Sequence, residues 1–271
     1  MLTKKDLTPS LNKAIRDKYY ENKSFIQISK ECNCSARAVA FSLKEQGINT
    51  KLKNRYIVNS NYFNLIDSEY KKYLLGLINA DGCLGKNNYF AIQMIDKELI
   101  EKIAAELNLT KNIRIAKLND SNYPNGKKAY RINFSDQNIW IQLHKNNAKD
   151  YYWENIELTK DGIYNWSFLL GFFDGDGCAY INKNRSGGLL NIIAPHVVCE
   201  KIKKFTEMGS VQKHNDVLSY WRIHGKDKIS KFYANCYQND FGLKRKKIKI
   251  ERLIDSYENY KKTKSDRSEC L

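Results

Sequence analysis

Two copies of one apolar segment, each ending in an aspartate, are the part of the sequence that could do chemistry. LLGLINADGC runs from Leu74 to Cys83 and LLGFFDGDGC from Leu169 to Cys178, with six of ten positions identical. The leucines before each aspartate favour a helix, and the glycine after it lets the chain turn sharply. The repeat predicts two matching helices with Asp81 and Asp176 at their C-terminal ends.

Small residues in each copy predict direct packing of the two helices. Gly76 and Ala80 are four residues apart, on one helix face, and Gly171 and Gly175 repeat this spacing. Small side chains so placed let two helix backbones approach closely. We expect the helices to pack about a pseudo-two-fold axis, which brings the two aspartates together.

Paired carboxylates at helix C-termini predict a site for a divalent cation. The helix dipole opposes each carboxylate by roughly 0.3–1 kcal/mol, and the two charges repel each other. A cation relieves both penalties, and ligation by oxygen alone suits Mg²⁺, with Mn²⁺ as a substitute. Such a pair beside a phosphate could hydrolyse a phosphodiester with metal assistance. The alternative is that Asp81 and Asp176 only end their helices.

The segments that follow the two copies predict a duplicated α+β unit. Alternation in Tyr130-Arg-Ile-Asn-Phe134, for example, indicates a strand with one apolar face. Each unit is predicted to run α-β-β-α-β-β-α. The predicted elements after the motif helices are strands 89–94, 112–117 and 130–134 with helices 97–107 and 137–145, matched by strands 189–193, 210–214 and 219–224 with helices 196–208 and 228–237.

The first 50 residues are predicted to form a small all-α domain that resembles a helix-turn-helix. Helices are expected over 13–20, 24–31 and 35–46, with Arg37 and Phe41 on the exposed face of the third. A plain three-helix bundle is the alternative. The predicted domains are 1–50 for this unit, 51–65 for a basic linker, 66–155 and 156–262 for the two motif units, and 263–271 for a flexible tail.

The composition indicates a polyanionic partner. The chain of 271 residues has 46 Lys plus Arg against 30 Asp plus Glu, a formal net charge of +16, with 18 Tyr and 4 Trp among them. This balance is typical of nucleic-acid binding, although it can also serve solubility alone. The seven cysteines show no paired framework, so we expect reduced thiols, and four histidines argue against a histidine-based metal site.

Apolar segments long enough to cross a membrane are missing from the sequence, and the N-terminus lacks the pattern of a signal peptide. We therefore expect an intracellular protein, cytoplasmic or associated with the nucleoid in a bacterial or phage setting, or else organellar.

The duplicated motif resembles that of the two-motif, single-chain LAGLIDADG homing endonucleases, over about residues 68–257. The resemblance implies a monomer whose two units form a DNA-binding saddle, with the sheets in the major groove. It also implies Mg²⁺-dependent cleavage of both strands of a long target, as in intron homing. The metal ligand is the eighth motif residue, which is Asp81 or Asp176 here, with Ala80 and Gly175 beside them in the metal site.

The same resemblance implies a basic residue after the last strand of each unit, which polarises the phosphate or positions water. In unit two Lys244 is the predicted catalytic lysine and Lys246 the second choice. In unit one Lys149 is predicted and Lys145 is the alternative.

The two copies differ at positions where the family has supporting polar residues. The sixth motif residue is Asn79 in one copy and Asp174 in the other. The start of the second helix of each unit carries Asp96 and Pro195, and a proline cannot place water. We expect both strands to be cleaved, and asymmetry between the two half-sites is the departure that Pro195 favours most.

Alternate side chains of strands that lie in the major groove can read base edges, whereas lysines and arginines at the turns position the phosphates. In unit one the predicted DNA contacts are Cys83, Lys86, Tyr89, Gln93, Arg114, Lys117, Arg131 and Asn133. In unit two they are Cys178, Tyr180, Asn182, Lys183, Arg185, Gln212, Arg222, His224 and Lys246.

The alternative functions are a cleavage-deficient transcriptional regulator and an intron RNA maturase on the same scaffold, the latter with host intron RNA as a second partner. Both acidic residues are present, which favours the nuclease.

Overall fold

The computed structural model describes residues 7–21, 23–48, 50, 58–117, 128–148, 152–182 and 187–268. Within these ranges the chain forms a small helical unit followed by two α+β units, each built on one four-stranded antiparallel sheet. The α+β class and the duplicated order α-β-β-α-β-β-α are confirmed.

The N-terminal unit consists of α1 (Pro9–Tyr20), α2 (Phe25–Glu31) and α3 (Ala36–Glu45). The Ser24 and Ser35 hydroxyls accept hydrogen bonds from main-chain amides in the first turns of α2 and α3, at 3.2 and 3.1 Å. The three predicted helices are therefore present, while DNA contact by α3 stays a prediction. Their core is separate from that of the rest of the chain and consists of Ile15, Tyr19, Ile28, Cys34, Ala38, Val39 and Leu43.

Unit one has the sheet order β1-β2-β4-β3 and unit two the matching order β5-β6-β8-β7. Single turns of 3-10 helix at Thr110–Asn112 and Tyr152–Asn155 lie in the connections. The elements of unit one are α4 (Glu69–Asp81), β1 (Cys83–Gly85), β2 (Tyr89–Met94), α5 (Lys97–Glu106), β3 (Arg114–Lys117), β4 (Lys128–Ser135) and α6 (Gln137–Lys145). Those of unit two are α7 (Trp166–Asp176), β5 (Gly177–Ile181), β6 (Gly188–Pro195), α8 (His196–Thr206), β7 (Ser210–Lys213), β8 (Leu218–His224), α9 (Lys226–Cys236) and α10 (Lys244–Ser268).

Each sheet has one apolar face, because successive side chains of a strand point to opposite sides. Phe90, Ile132 and Phe134 are buried on this face in unit one, as are Trp221 and Ile223 in unit two. Helices cover these faces, and the opposite faces carry the polar residues of the strands.

The helix α10 was not predicted, and it has no match in the repeat pattern of unit one. It begins after Gly242 and packs on β5 and α9. The Tyr257 hydroxyl accepts hydrogen bonds from the amides of Gly188 and Gly225, each at 3.2 Å, and so ties α10 to the ends of two strands. Since α10 extends to Ser268, the boundary predicted at 262/263 lies within a helix; the domain boundaries otherwise stay predictions.

Candidate active site

The motif helices α4 and α7 pack backbone against backbone. A Cβ atom at Gly76 would overlap the carbonyl oxygen of Phe168, and one at Gly171 would overlap that of Tyr73. The glycines are therefore needed for the close approach, as their spacing predicts. Contacts follow the same order along both helices, so α4 and α7 run parallel and end at the same side of the molecule.

A polar cluster joins the N-terminal ends of these helices. The Glu69 Oε2 atom accepts hydrogen bonds from Asn165 Nδ2 at 2.9 Å and Ser167 Oγ at 2.6 Å, and Lys72 donates to Oε1 at 2.7 Å. Burial raises the pKa of the Glu69 carboxyl, but the bonds from Lys72, Ser167 and Asn165 outweigh it and lower the pKa below its ordinary value. The cluster fixes how far one helix is shifted along the other.

The C-terminal ends of α4 and α7 place both aspartates at an exposed site. Asp81 and Asp176 are the last residues of their helices and are solvent-exposed. A Cβ atom at Gly175 would overlap that of Ala80 and lie 3.3 Å from Asp81 Cγ. The two motif ends are thus in direct contact, as the repeat predicts.

The glycines after the aspartates are required for space rather than for a left-handed backbone. Gly82 and Gly177 have extended backbones, with φ of −68° and −83°. A Cβ atom at Gly82 would lie 2.5 Å from the Ile78 carbonyl oxygen, and one at Gly177 would overlap the Phe173 ring. Each helix therefore leads straight into the first strand of its sheet, with its aspartate at the junction.

Lys246 closes the end of α7. Its ammonium donates to the carbonyl oxygens of Phe173 at 2.7 Å, Asp174 at 2.7 Å and Gly177 at 2.6 Å, with Gly175 at 3.4 Å. The residue is only 7% exposed, and this burial lowers the pKa of the ammonium to about 8. A cation here offsets the negative end of the helix dipole.

The structure places Lys246, rather than Lys244, at the motif end in unit two. Lys244 is exposed and pairs with Glu98 at 2.8 Å on α5, because residues two apart in a helix point to different sides. The predicted DNA contact by Lys246 does not fit its burial.

A second ion pair, beside that of Lys244 with Glu98, links α10 to the start of α5. The Arg245 Nε atom contacts both carboxylate oxygens of Asp96, at 3.0 and 3.1 Å. Asp96 is the residue before α5 and Pro195 the residue before α8, as the sequence places them.

The corresponding lysine of unit one stays a prediction. Lys149 lies outside the described residues, and Lys145, the last residue of α6, is exposed.

The sixth motif residues are both buried, but one is a carboxylate and the other an amide. The Asp174 carboxylate is 1% exposed, and its Oδ2 atom accepts hydrogen bonds from the Leu243 amide at 2.7 Å and the Tyr73 hydroxyl at 3.0 Å. Burial raises its pKa to about 6. Asn79 is also buried, but it donates to the Leu75 carbonyl oxygen of its own helix at 3.1 Å. The sequence analysis did not predict the hydrogen bond between Asp174 and Leu243. The signal that could have indicated it is an acidic residue within an otherwise apolar helix.

The open face of the first sheet carries the strand residues predicted to read DNA. Arg114, Arg131 and Gln93 lie side by side across β3, β4 and β2. Asn133 occupies the next row, with Cys83 at its far end on β1. The Arg131 guanidinium donates to the Tyr89 hydroxyl, so two of the side chains predicted to contact DNA bases are hydrogen-bonded to each other.

The second sheet presents the equivalent face. Arg222 donates to the Gln212 side chain at 2.8 Å and lies 4.0 Å from the centroid of the Tyr220 ring. Asn191 and Tyr220 share this face and were missed, although the alternation along β6 and β8 could have found them. Predicted residues placed on this face or at its edge are Cys178, Tyr180, Asn182, Gln212, Arg222 and His224.

The remaining predicted DNA contacts lie elsewhere. Lys86 is exposed in the turn between β1 and β2, Arg37 is exposed on α3, and Phe41 is half-buried there. Lys117 ends β3, and only its backbone is described. Lys183 and Arg185 lie outside the described residues.

The donors at the motif ends fit a hard divalent cation. They are two carboxylates with the neighbouring main-chain carbonyls of Ala80 and Gly175, all oxygen atoms, as Mg²⁺ prefers. Among the described residues, no three side chains of His, Cys, Asp or Glu are grouped as metal ligands. Water and phosphate oxygens would therefore have to complete the coordination. In the part of the chain described, no helix is long and apolar enough to cross a bilayer.

Comparison with known proteins shows limited similarity in sequence. No protein-family profile matches the chain. An uncharacterized protein of Methanocaldococcus jannaschii is 30% identical over 132 residues, which are 47% of this chain and 48% of that protein. The match thus spans about half the length of this curated relative.

Solved homing endonucleases are similar to the chain at low identity. They include the I-LtrWI LAGLIDADG homing endonuclease bound to target DNA (16% identity, TM-score 0.47, 74% of this chain and 92% of that one). I-WcaI bound to its DNA recognition sequence has 15% identity and a TM-score of 0.49, over 70% and 90%. The LAGLIDADG meganuclease I-AabMI bound to uncleaved DNA has 14% identity and a TM-score of 0.46, over 70% and 91%. The motif pair at Leu74–Gly82 and Leu169–Gly177 is the feature of this chain that resembles the LAGLIDADG homing endonucleases.

Proposed function

We propose that this protein is a site-specific DNA endonuclease of the LAGLIDADG type that cleaves both strands of a duplex with divalent metal ions. The observation that carries the proposal is the parallel packing of α4 and α7. It brings Asp81 and Asp176 together at one exposed end, and each directly precedes the first strand of a sheet with an open polar face. A duplex lying on both faces would pass over the aspartates.

Asp81 and Asp176 would hold the metal, with the carbonyls of Ala80 and Gly175 nearby. A bound Mg²⁺ or Mn²⁺ supplies positive charge that activates water and stabilises the oxygen leaving the phosphorus. Lys246 adds a fixed positive charge at the end of α7, where it favours a phosphate beside Asp176. We accordingly propose that Lys246, rather than Lys244, is the basic residue that acts at this end of unit two, through its charge and without direct contact with the DNA.

The sheet faces and the N-terminal unit would bind the duplex. The arginines of each face suit guanine and the amide side chains suit adenine, and lysines at the turns suit phosphate. Arg37 and Phe41 on α3 would add a contact outside the saddle. One chain contains both motif units, so we propose that a monomer is the active form.

The test is cleavage of a plasmid that carries the two sequences flanking the gene, joined into one uninterrupted site. We expect linear product with Mg²⁺ or Mn²⁺ and none with EDTA. Asp81→Asn and Asp176→Asn should each abolish the double-strand cut, whereas Asp161→Asn, an exposed aspartate in the loop before α7, should cleave as the wild type does. Specific binding without cleavage in either metal would contradict the proposal and favour a regulator. Acceleration of host intron splicing, without DNA cleavage, would favour a maturase.

A further inference from the structure

We propose that Asp174 is a positioning residue that seats Lys246 beside Asp176, and that it serves one of the two strand cuts. This inference rests on the proposed nuclease function and deepens it. The sixth motif residue of unit two would then act on the cut through its contacts with the chain before α10.

Asp174 is hydrogen-bonded to the main chain directly before α10. The Leu243 amide donates to Asp174 Oδ2 at 2.7 Å, inside the protein, where both groups are almost fully buried. Gly242 precedes it with φ of +106°, and a Cβ atom there would lie 3.3 Å from the same carboxylate oxygen. A left-handed backbone that favours glycine therefore presents the Leu243 amide to the carboxylate.

Leu243 is in turn hydrogen-bonded to the first turn of α10. The Leu243 carbonyl accepts hydrogen bonds from the amides of Lys246 at 2.9 Å and Lys247 at 3.0 Å, which form the first turn of α10. Anchoring Leu243 thus fixes the direction in which this turn points Lys246. The lysine reaches the last carbonyls of α7, including that of Asp174 itself. Asp174 therefore binds Leu243 through its side chain and Lys246 through its main-chain carbonyl.

Tyr73 ties the same seat to the other motif helix. Its hydroxyl donates to Asp174 Oδ2 at 3.0 Å and lies in the interface of α4 and α7. The position of Asp174 is therefore fixed relative to α4 as well as within α7.

The equivalent residue of unit one is an amide, and its Nδ2 atom donates to the Leu75 carbonyl oxygen of its own helix at 3.1 Å. Asp174 acts through Lys246, which lies at the end of α7. The strand whose cleavage requires Asp176 should therefore depend on Asp174 more than the other strand does.

The experiment measures the two nicking rates separately, on the joined-flank duplex labelled on either strand, with saturating Mg²⁺. Asp176→Asn first identifies the strand served by unit two. Asp174→Leu removes the acceptor at nearly constant volume and should slow that strand roughly tenfold to a hundredfold, as loss of positioning does. The other strand and the affinity for DNA should change less than about twofold. Asn79→Leu is the matched substitution at the equivalent position of unit one, and the strand that requires Asp176 should keep its rate in this variant.

A double-mutant cycle with Lys246→Met separates positioning from general stability. If Asp174 acts through Lys246, adding Asp174→Leu to Lys246→Met should slow the cut no more than about twofold further. Should Asp174→Leu not fold, Gly242→Ala disturbs the same amide from outside the helix pair and should give the same strand-selective loss. Equal slowing of both strands, or multiplicative effects with Lys246→Met, would overturn the inference. A wild-type protein that cuts neither strand would contradict the proposed function instead.

Discussion

The end of α7 carries a carboxylate, which the helix dipole disfavours, and a lysine, which it favours. Asp176 is exposed there, while the Lys246 ammonium is buried on the carbonyl oxygens of the same turn. The lysine therefore lowers the electrostatic cost of the aspartate before any metal binds. It also satisfies carbonyls that the helix leaves without an internal partner.

Replacement of Lys246 should affect both cleavage and stability. We expect Lys246→Met to slow the Asp176-dependent cut by roughly 10²-fold, the scale of losing one fixed electrostatic group. It should also lower the free energy of unfolding by about 1–3 kcal/mol, because buried carbonyls lose their donor. Lys244→Met is the control two residues away, and its exposed pair with Glu98 should contribute little. Strand-resolved rates and urea unfolding of both variants measure these effects; equal rates for the two variants would contradict the assignment.

The choice between Lys244 and Lys246 marks a limit of sequence reasoning at this scale. Asp81 and Asp176 could be predicted because the motif is duplicated. The segment from Leu243 to Lys247 contains several adjacent lysines, and the sequence does not distinguish between them. Only the start of α10, set by the long-range bond between Leu243 and Asp174, decides which of them points inward. A contact between residues so far apart in sequence leaves no local signal.

At the scale of elements, the packing of α4 on α7 depends on glycines that touch the backbone of the other helix. Gly171→Ala would place a methyl group against the Tyr73 carbonyl, which cannot move as a side chain can. We expect a loss of about 3 kcal/mol in the free energy of unfolding, together with loss of cleavage. Gly85→Ala is the control, because its new methyl group would lie 3.2 Å from the movable Tyr89 ring. Comparable destabilisation by both substitutions would refute the packing argument.

The cluster at the other end of these helices should make stability depend on pH. The pKa of Glu69 is lowered in the folded state, so its contribution is fully present above its ordinary value of 4.5 and is lost as pH falls through the lower folded value. Glu69→Gln should therefore unfold more easily than the wild type at pH 7, by roughly 0.5–1 kcal/mol for these partly screened bonds. The difference should shrink below pH 4.5. Thermal unfolding of both proteins across this range tests it, with Glu157→Gln as an exposed control; a difference that stays constant with pH would rule out the charged form as the cause.

Most elements could be predicted because their patterns are local. The alternation in β4 and the capping serines of α2 and α3 identified these elements within a few residues. The helix α10 was not predicted, although Ile250, Leu253 and Tyr257 recur at helical spacing, because the repeated pattern of unit one contains no counterpart to it. Its docking on β5 is again a long-range property.

For the whole molecule, a net charge of +16 and two open polar sheet faces suit the proposed binding of a duplex, in which phosphate contacts would supply most of the affinity. The N-terminal unit has its own core, and the chain joins unit one by residue 59, where the Asn59 amide donates to the Leu107 carbonyl oxygen at 3.1 Å. The helical unit could therefore contact DNA beyond the segment covered by the sheets. Such a contact would extend the footprint on the side of the N-terminal unit.

Substitutions on α3 should test this second contact without touching the saddle. We expect the double variant Arg37→Ala and Phe41→Ala to shorten a hydroxyl-radical footprint at one end and to leave the protection over the cleavage site intact. If Arg37 contacts a phosphate, the slope of log affinity against log salt should fall by roughly one. Arg16→Ala is the control on α1, where Arg16 pairs with Asp17 at 3.5 Å, and it should leave the footprint unchanged. A footprint and salt slope identical to those of the wild type in the double variant would show that the N-terminal helices do not contact DNA through α3, and the sheets alone would then account for recognition.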